Sequence, residues 1–404
     1  MKKLHYSWVI CGVGLLMYFC NMGLCNNGFS VCLPFIEEAG HFSGTQGSMI
    51  MTVRCISSLI SMFFVAKFYE RVSMRWGAFL ATLCSAASYF IYSLGGSIST
   101  YYIGAVMAGV GYSFGAIIPA SILVNNWFVR RRGLALGIST SGTGVCSIIA
   151  PPIITRGVET LGLGVALKCV SAFILLGGAV ILLLARRVPA DMGLEAFGAG
   201  ESERGGKVKS HGTRCMTKGE WLFAGAALVM VGAVATGGTG HFSILMTSSG
   251  FSPAVAASVF SFWGAMLIAG KFLFGYLSDR LSGKWAMVIC FGLYALGGVV
   301  SLAFFGGQAA FCYLFALMTG LGISPVTVGP PVWAADLSTP DEYAHTLKSL
   351  QMCYTVGGVV FTSVPGMLYD AVGNYQSAYL MFSAFALLST GIISILYQRF
   401  RKIA

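Results

Sequence analysis

Charged side chains are scarce in this chain. Only 10% of its 404 residues are Asp, Glu, Lys or Arg, whereas 56% are apolar. A soluble domain carries about a quarter charged residues, so the composition excludes that class and predicts an integral membrane protein. The polar–apolar alternation of lipid-facing strands is not sustained anywhere. The sequence therefore favours helical spans over a β-barrel.

Carboxylates are absent from the middle of the apolar segments, although two basic residues lie there. None of the 14 Asp and Glu residues falls in the middle of an apolar segment, yet Arg54 and Lys271 do. A basic side chain near the bilayer centre costs about 2.5–3.5 kcal/mol on insertion scales and usually faces a wet cavity or a partner. The absent counter-charge predicts an anionic substrate that contacts both residues. For Arg54, bonds to carbonyls of a neighbouring helix are the alternative.

Groupings typical of metal, redox or nucleotide chemistry are absent. The five His residues form no cluster, the 12 Cys residues show no pairing or metal-ligand spacing, and no ATP-binding motif occurs. An enzyme would need a nucleophile or metal group near the membrane surface. The sequence therefore predicts no cofactor, no metal and no enzymatic activity.

Twelve apolar runs are present, each near the roughly 20 residues that cross hydrocarbon. We number them helices 1 to 12. They begin near Trp8, Thr45, Trp76, Tyr101, Gly133, Gly162, Glu220, Ala254, Trp285, Ala310, Thr346 and Gln376.

The distribution of basic residues predicts the orientation. All Lys and Arg except Arg54, Arg156, Lys168 and Lys271 lie at the termini or in the connections after even-numbered helices. Both termini are therefore predicted to be cytoplasmic. The net charge of +11 reflects this topology rather than nucleic-acid binding, which would require a soluble basic face.

An internal repeat divides the chain. Gly109 precedes Gly320 by 211 positions, and Phe42 precedes Phe251 by 209. A Gly-rich polar stretch separates the two copies and predicts a flexible linker. The predicted domains are residues 1–187, a cytoplasmic linker over 188–218, and residues 219–404. They imply an all-α fold of two six-helix bundles related by a pseudo-two-fold axis.

Parallel six-helix halves are the architecture of major facilitator transporters. The connection after helix 8, residues 275–284, resembles the cytoplasmic loop motif of that superfamily, and residues 70–75 resemble a degraded copy. The resemblance implies a latch that holds the cytoplasmic ends of the halves together. The alternative is a set of interfacial charges that only fix topology. The latch residues would be Gly275, Asp279, Arg280, Glu70 and Arg71.

Residues 127–137 and 365–375 resemble the monocarboxylate transporter and oxalate:formate antiporter branch. The resemblance places Lys271 where that branch has a substrate-binding arginine. Proton-coupled animal carriers have an aspartate where Leu267 stands, and the second lysine of oxalate carriers falls on Gly357. The proton relay of the animal carriers therefore does not transfer directly, and a dicarboxylate site would need Arg54 as its second cation.

Further polar residues are candidates for substrate hydrogen bonds, since they lie on helices that line the cavity in the family resembled. Each is equally suited to a helix–helix bond, worth around 0.6 kcal/mol. His241 is also suited to carrying a proton. These candidates are Asn26, Asn27, Tyr112, His241 and Tyr354.

The predicted function is secondary transport of a small organic anion by alternating access. A proton-linked monocarboxylate of the lactate or pyruvate type is favoured. The alternatives are an anion exchanger of the oxalate:formate type and a non-transporting membrane sensor. The predicted partners are the carboxylate, protons and the lipid bilayer. We expect a monomer in the plasma membrane, the cytoplasmic membrane of a bacterium.

Overall fold

The structure is a computed structural model that describes residues 5–42, 44–198, 216–251, 253–362 and 364–403. Over these ranges the chain is helical and contains no β-strand, apart from one isolated bridge between Phe128 and Phe197. The predicted all-α class is confirmed.

Twelve helical segments follow one another through the described ranges, and several are interrupted by short breaks. In the first half they are helix 1 (Tyr6–Tyr18, the π-helical Phe19–Gly28 and Phe29–Gly40), helix 2 (Gly44–Arg71), helix 3 (Met74–Tyr92), helix 4 (Ile98–Gly115 and Ile117–Trp127), helix 5 (Arg132–Thr140 and Gly142–Leu161) and helix 6 (Leu163–Leu184). In the second half they are helix 7 (Lys218–Gly240 and Phe242–Ser248), helix 8 (Pro253–Arg280), helix 9 (Gly283–Val300 with the 3-10 turn Ser301–Gly306), helix 10 (Ala309–Gly322 and Pro325–Asp336), helix 11 (Tyr343–Phe361 and Val364–Val372) and helix 12 (Gln376–Ile403).

Ten segments of the described chain are long and apolar enough to cross a membrane. Helices 3 and 11 are not among them, because polar side chains lower their hydropathy. Helix 3 carries Arg75 with several hydroxyl residues, and helix 11 carries His345, Lys348 and Gln351.

The chain forms two compact units, Met1–Val208 and Lys209–Ala404. In the first unit, helix 4 packs against helices 2 and 3, helix 3 against helix 6, and helix 1 against helix 5. In the second unit, helix 10 packs against helices 8 and 9, helix 9 against helix 12, and helix 7 against helix 11. The two units thus use the same set of helix pairs.

The repeat extends to single contacts between helices. A Cβ added to Gly109 would meet the carbonyl of Arg54 and the Cβ of Ser57, and one added to Gly320 would meet the same atoms of Trp263 and Met266. Both partners are displaced by 209 positions. Small residues let helices approach closely, so each glycine marks a tight crossing.

The predicted linker begins with a folded segment. Its first residues, 188–198, include the 3-10 turn Pro189–Met192 and pack on the first unit. The Phe197 backbone N–H donates to the Trp127 carbonyl at 2.9 Å, and the Phe197 carbonyl accepts from Val129 at 3.1 Å. The Phe197 ring contacts Trp8 at 5.7 Å between centroids. The remainder of the predicted linker lies largely outside the described residues.

Candidate functional site

Arg54 is the charged residue of a buried polar site in the first unit. It lies ten residues into helix 2, roughly 15 Å along the axis, and only 5% of it is exposed. Its Nη2 donates to Asn26 Oδ1 at 2.9 Å and contacts Cys55 Sγ at 3.4 Å. The guanidinium lies 5.7 Å from the centre of the Tyr112 ring. Its Nε has no hydrogen-bond partner in the described part of the chain.

A line of hydrogen bonds continues from Arg54 to helix 5. Asn26 Nδ2 donates to Asn27 Oδ1 at 3.0 Å, and Asn27 Nδ2 donates to Ser147 Oγ at 2.7 Å. Ser147 in turn donates to the Thr143 carbonyl at 3.0 Å. Both asparagines have half-buried side chains. The line orients the Asn26 carbonyl oxygen toward the guanidinium.

The backbone of helix 1 is unusual where these asparagines stand. Phe19–Gly28 is π-helical, a conformation that is rare and concentrated at functional sites. The wider turn changes the direction of each side chain relative to an α-helix. Sequence periodicity alone therefore gives no direction for Asn26 or Asn27.

Asn21 lies in the same π-helical stretch but has a structural environment. Its Nδ2, which carries two hydrogens, lies 3.1 Å from each of three acceptors, the carbonyl oxygens of Met17 and Gly115 and the hydroxyl of Thr82, and its Oδ1 accepts from Ser85 at 2.8 Å. This amide is fully used in joining helices 1, 3 and 4. The Arg54 guanidinium, by contrast, has an N–H group without a hydrogen-bond partner among the described residues.

The first unit thus brings together three of the predicted site residues: Arg54, Asn27 and Tyr112. The alternative in which Arg54 bonds to carbonyls of a neighbouring helix is not what the described residues show, because its hydrogen bonds go to side chains. Ser147 was missed by sequence reasoning. Its signal is weak, since a serine on a Gly-rich helix is also typical of close packing.

Lys271 lies in helix 8 of the second unit and is fully buried. The residue before it, Gly270, packs tightly on helix 10, where an added Cβ would lie 2.8 Å from the Leu321 Cα. This contact fixes the rotation of helix 8 at Lys271. Leu267, one turn earlier, is 5% exposed and supplies no charge.

The other predicted residues of the second unit have different surroundings. His241 follows Gly240 at a break in helix 7, where its Nδ1 lies 3.1 Å from the Gly237 carbonyl. Its ring stacks on Tyr375 with 6.0 Å between centroids. Tyr354 is buried, and its backbone carbonyl lies against Gly232 of helix 7.

The predicted latch residues end two equivalent helices. Glu70 and Arg71 close helix 2, Asp279 and Arg280 close helix 8, and all four are exposed, whereas Gly275 is buried. The Arg280 guanidinium lies 5.5 Å from the centre of the Tyr276 ring. These charges are accessible at the ends of their own units.

Residues 13–242 and 222–402 each match the family model of the Major Facilitator Superfamily. The chain belongs to that superfamily. It is a multi-pass membrane transporter, as members of the family are, and the family resemblance found in the sequence is confirmed.

Named relatives point to one branch of the superfamily. The chain is 24% identical to "Monocarboxylate transporter 13" of Rattus norvegicus, over 89% of this chain and 80% of the relative. It is also 24% identical to "Monocarboxylate transporter 12-B" of Danio rerio, over 92% and 83%. A fungal relative, "MFS transporter asaE" of Aspergillus flavus, is 24% identical over 95% and 84%.

Among solved structures, the fucose:proton symporter of E. coli shares the fold. The TM-score is 0.64 at 14% sequence identity, and the match covers 97% of this chain and 99% of the symporter. At this identity the likeness concerns the fold alone. It confirms the predicted major facilitator architecture.

Proposed function

We propose that this transporter carries a small organic anion, with a monocarboxylate favoured, and that Arg54 binds the carboxylate. The supporting observation is a buried guanidinium whose Nε has no partner among the described residues while Asn26 holds its Nη2. A buried polar atom without a partner is uncommon and calls for an explanation such as a ligand. An arginine offers a carboxylate two parallel N–H bonds.

Lys271 supplies the second positive charge in this proposal. It occupies the position of a substrate-binding arginine in the branch resembled, and two of the named relatives are monocarboxylate transporters. The lysine ammonium acts as a compact point charge rather than as a bidentate hydrogen-bond donor. Asn27 positions the site through Asn26, while Tyr112, His241 and Tyr354 are proposed as further substrate contacts.

We further propose alternating access with proton coupling, a monomeric transporter, and cytoplasmic termini in a bacterial plasma membrane. Exchange of one anion for another is the second candidate. It is favoured by the absence of acidic residues from the middle of the spans, which leaves few groups to carry a proton. The domain boundaries given by the sequence remain part of this proposal.

The substrate class is tested with purified protein in proteoliposomes. Uptake of labelled lactate, pyruvate, formate and oxalate is measured with and without a pH gradient. We expect saturable uptake of at least one monocarboxylate above that of empty liposomes. Transport of none of these four anions by correctly inserted protein would contradict the proposal.

The latch proposal is tested by Asp279→Asn. Loss of this charge should weaken closure at the end of helix 8 and raise labelling of cavity cysteines from that side. A membrane-impermeant maleimide measures the change, with Glu195→Gln, an exposed residue of the segment after helix 6, as the control. Equal labelling of wild type and Asp279→Asn would show that Asp279 only fixes topology.

A further inference from the structure

Cys55 follows Arg54 in helix 2, and its thiol lies against the guanidinium. The Sγ atom is 3.4 Å from Arg54 Nη2, and 6% of the Cys55 residue is exposed. A thiol is a weak hydrogen-bond acceptor, whereas a carboxylate forms short, charge-assisted bonds with a guanidinium. The thiol therefore contacts a donor of the proposed anion site without satisfying it well.

Other cysteines of the first unit bond to the backbone of neutral residues. Cys11 Sγ donates to the Ala135 carbonyl at 3.2 Å, and Cys25 Sγ lies 3.8 Å from the Cys20 carbonyl. Among the described residues, Cys55 is the one cysteine that is hydrogen-bonded to a charged side chain. Its position next to the buried cation sets it apart from a thiol that only fills space.

The guanidinium edge beside this thiol has a second donor available. Arg54 Nε lies on the same edge as Nη2 and has no hydrogen-bond partner among the described residues. Parallel N–H groups of this kind fit the two oxygens of a carboxylate. Nη2 also donates to Asn26 Oδ1 at 2.9 Å, so the thiol is the weaker of its two acceptors. A carboxylate oxygen that binds this edge therefore replaces Cys55 rather than Asn26.

An anion bound at this edge necessarily contacts Cys55. The sulfur is 3.4 Å from Nη2, and a carboxylate oxygen would lie about 2.7–2.9 Å from the same nitrogen. The carbon attached to the carboxylate is then held close to the sulfur. Holding two reacting groups together turns a bimolecular step into an effectively unimolecular one.

We propose that Cys55 is a covalent modification site for carboxylates whose adjacent carbon is electrophilic, the class of 2-haloacids. The inference rests on the proposed binding of a carboxylate by Arg54. While the guanidinium holds the carboxylate, Cys55 Sγ attacks the halogen-bearing carbon. A sulfur–carbon bond forms, the carbon–halogen bond breaks, the halide leaves with its electron pair, and the thiol proton passes to water. The thioether product keeps its carboxylate at Arg54 and blocks the site.

The experiment compares iodoacetate with iodoacetamide, which has the same reactive carbon but no charge. Purified transporter in detergent is treated with each reagent, and alkylation of each cysteine is followed by peptide mass spectrometry. We expect Cys55 to react about tenfold faster with iodoacetate, the effect of a hydrogen bond to a charged group, with a rate that saturates as the iodoacetate concentration rises. Cys84, a half-buried thiol of helix 3, is the internal control and should show no preference for iodoacetate.

Two variants separate steering by Arg54 from simple access to the thiol. Arg54→Gln keeps Cys55 and should abolish its preference for iodoacetate. Cys55→Ala should prevent alkylation at this position, so iodoacetate should leave its uptake at the rate of the untreated variant. Wild type treated in the same way should lose most of its uptake.

Each contrary outcome has a definite meaning. Equal rates with the two reagents at Cys55, in protein that transports a monocarboxylate, would overturn the inference and leave the proposed function standing. A preference for iodoacetate that persists in Arg54→Gln would also overturn it, because Arg54 would then play no part in the reaction. Wild type that neither transports a monocarboxylate nor prefers iodoacetate would remove the proposed function, and this site with it.

Discussion

Arg54 is buried in surroundings that satisfy only part of its guanidinium. The Asn26 carbonyl oxygen accepts one bond, and the Tyr112 ring at 5.7 Å adds a cation–π contact. Neither group carries a formal negative charge. A carboxylate that reaches the remaining N–H groups would therefore meet a charge already fixed in position, so little of the binding free energy is lost in ordering the side chain.

The first prediction concerns this charge. Arg54→Gln should lower uptake of the transported anion by about 10- to 100-fold, the effect of losing a charge-assisted hydrogen bond. Arg54→Lys keeps the positive charge but loses the bidentate hydrogen-bond geometry, so this variant should retain only part of the uptake activity. Initial uptake rates in proteoliposomes measure both effects. Arg156→Gln, at an exposed position, is the control. Wild-type rates in Arg54→Gln would contradict the proposed site.

The second prediction concerns Ser147, which acts on Arg54 through Asn27 and Asn26. Ser147→Ala removes the acceptor of the 2.7 Å bond from Asn27 and should raise KM several-fold with a smaller change in kcat. Residues of one hydrogen-bond network are not additive, so adding Ser147→Ala to Asn27→Ala should change KM little.

The control for Ser147 is Ser139→Ala in the same helix. Ser139 donates to the Cys11 carbonyl at 3.1 Å and is far from the asparagines in sequence. Its loss should lower the Tm without raising KM. Independent, additive effects of Ser147→Ala and Asn27→Ala would argue against the connection to Arg54.

At the scale of helices, the two basic residues occupy different registers of equivalent elements. Helices 2 and 8 are both 28 residues long, and their bounds differ by 209 positions. In this register Arg54 is equivalent to Trp263, and Lys271 to Met62. The two cations are thus eight residues apart along equivalent helices, about 12 Å. The two units share the repeated helix arrangement, but each carries its buried basic residue at a different position.

The third prediction concerns the close helix crossings that hold these registers. Gly109→Ala would place a Cβ against the Arg54 carbonyl, and Gly320→Ala would place one 3.0 Å from the Trp263 carbonyl. Both should lower the Tm by several degrees, because backbone must move. Gly109→Ala should also impair transport by shifting Arg54.

The control for these glycines is Gly292→Ala in helix 9. A Cβ at Gly292 meets nothing within 4 Å, so the higher helix propensity of alanine should leave the Tm unchanged or raise it. Fluorescence-detected melting of the purified variants measures all three. Equal Tm values for Gly109→Ala, Gly320→Ala and wild type would show that these crossings are not tight.

Sequence reasoning predicted the fold well because its signals are local and strong. Apolar runs gave the twelve helices, and the matched Gly109 and Gly320 indicated the repeat. The π-helical turns of helix 1 were not predictable, since propensity does not distinguish them from α-helix. The docking of Phe197 on Trp127 depends on residues 70 positions apart. Ser147 was missed because a serine within a Gly-rich span is also typical of close helix packing, and only its bond to Asn27 distinguishes it.

At the scale of the whole molecule, the driving force for transport depends on which groups could carry a proton. The spans offer no carboxylate near their centres, so a transported proton would have to reside on the substrate or on His241. Histidine is the side chain that changes charge between pH 5 and 8 without special surroundings. The Gly237 carbonyl and the Tyr375 ring hold His241 in place without adding a charge.

The last prediction separates symport from exchange in the same proteoliposomes. Under proton symport, an acidic exterior should drive accumulation of the anion above its external concentration, and His241→Gln should flatten the dependence of uptake on external pH. Tyr375→Phe, which keeps the ring beside His241, should retain that dependence. Under exchange, uptake should instead require anion preloaded on the opposite side, and His241→Gln should change little. Accumulation that needs preloaded anion and ignores the pH gradient would decide for the exchanger, because no proton then crosses with the substrate.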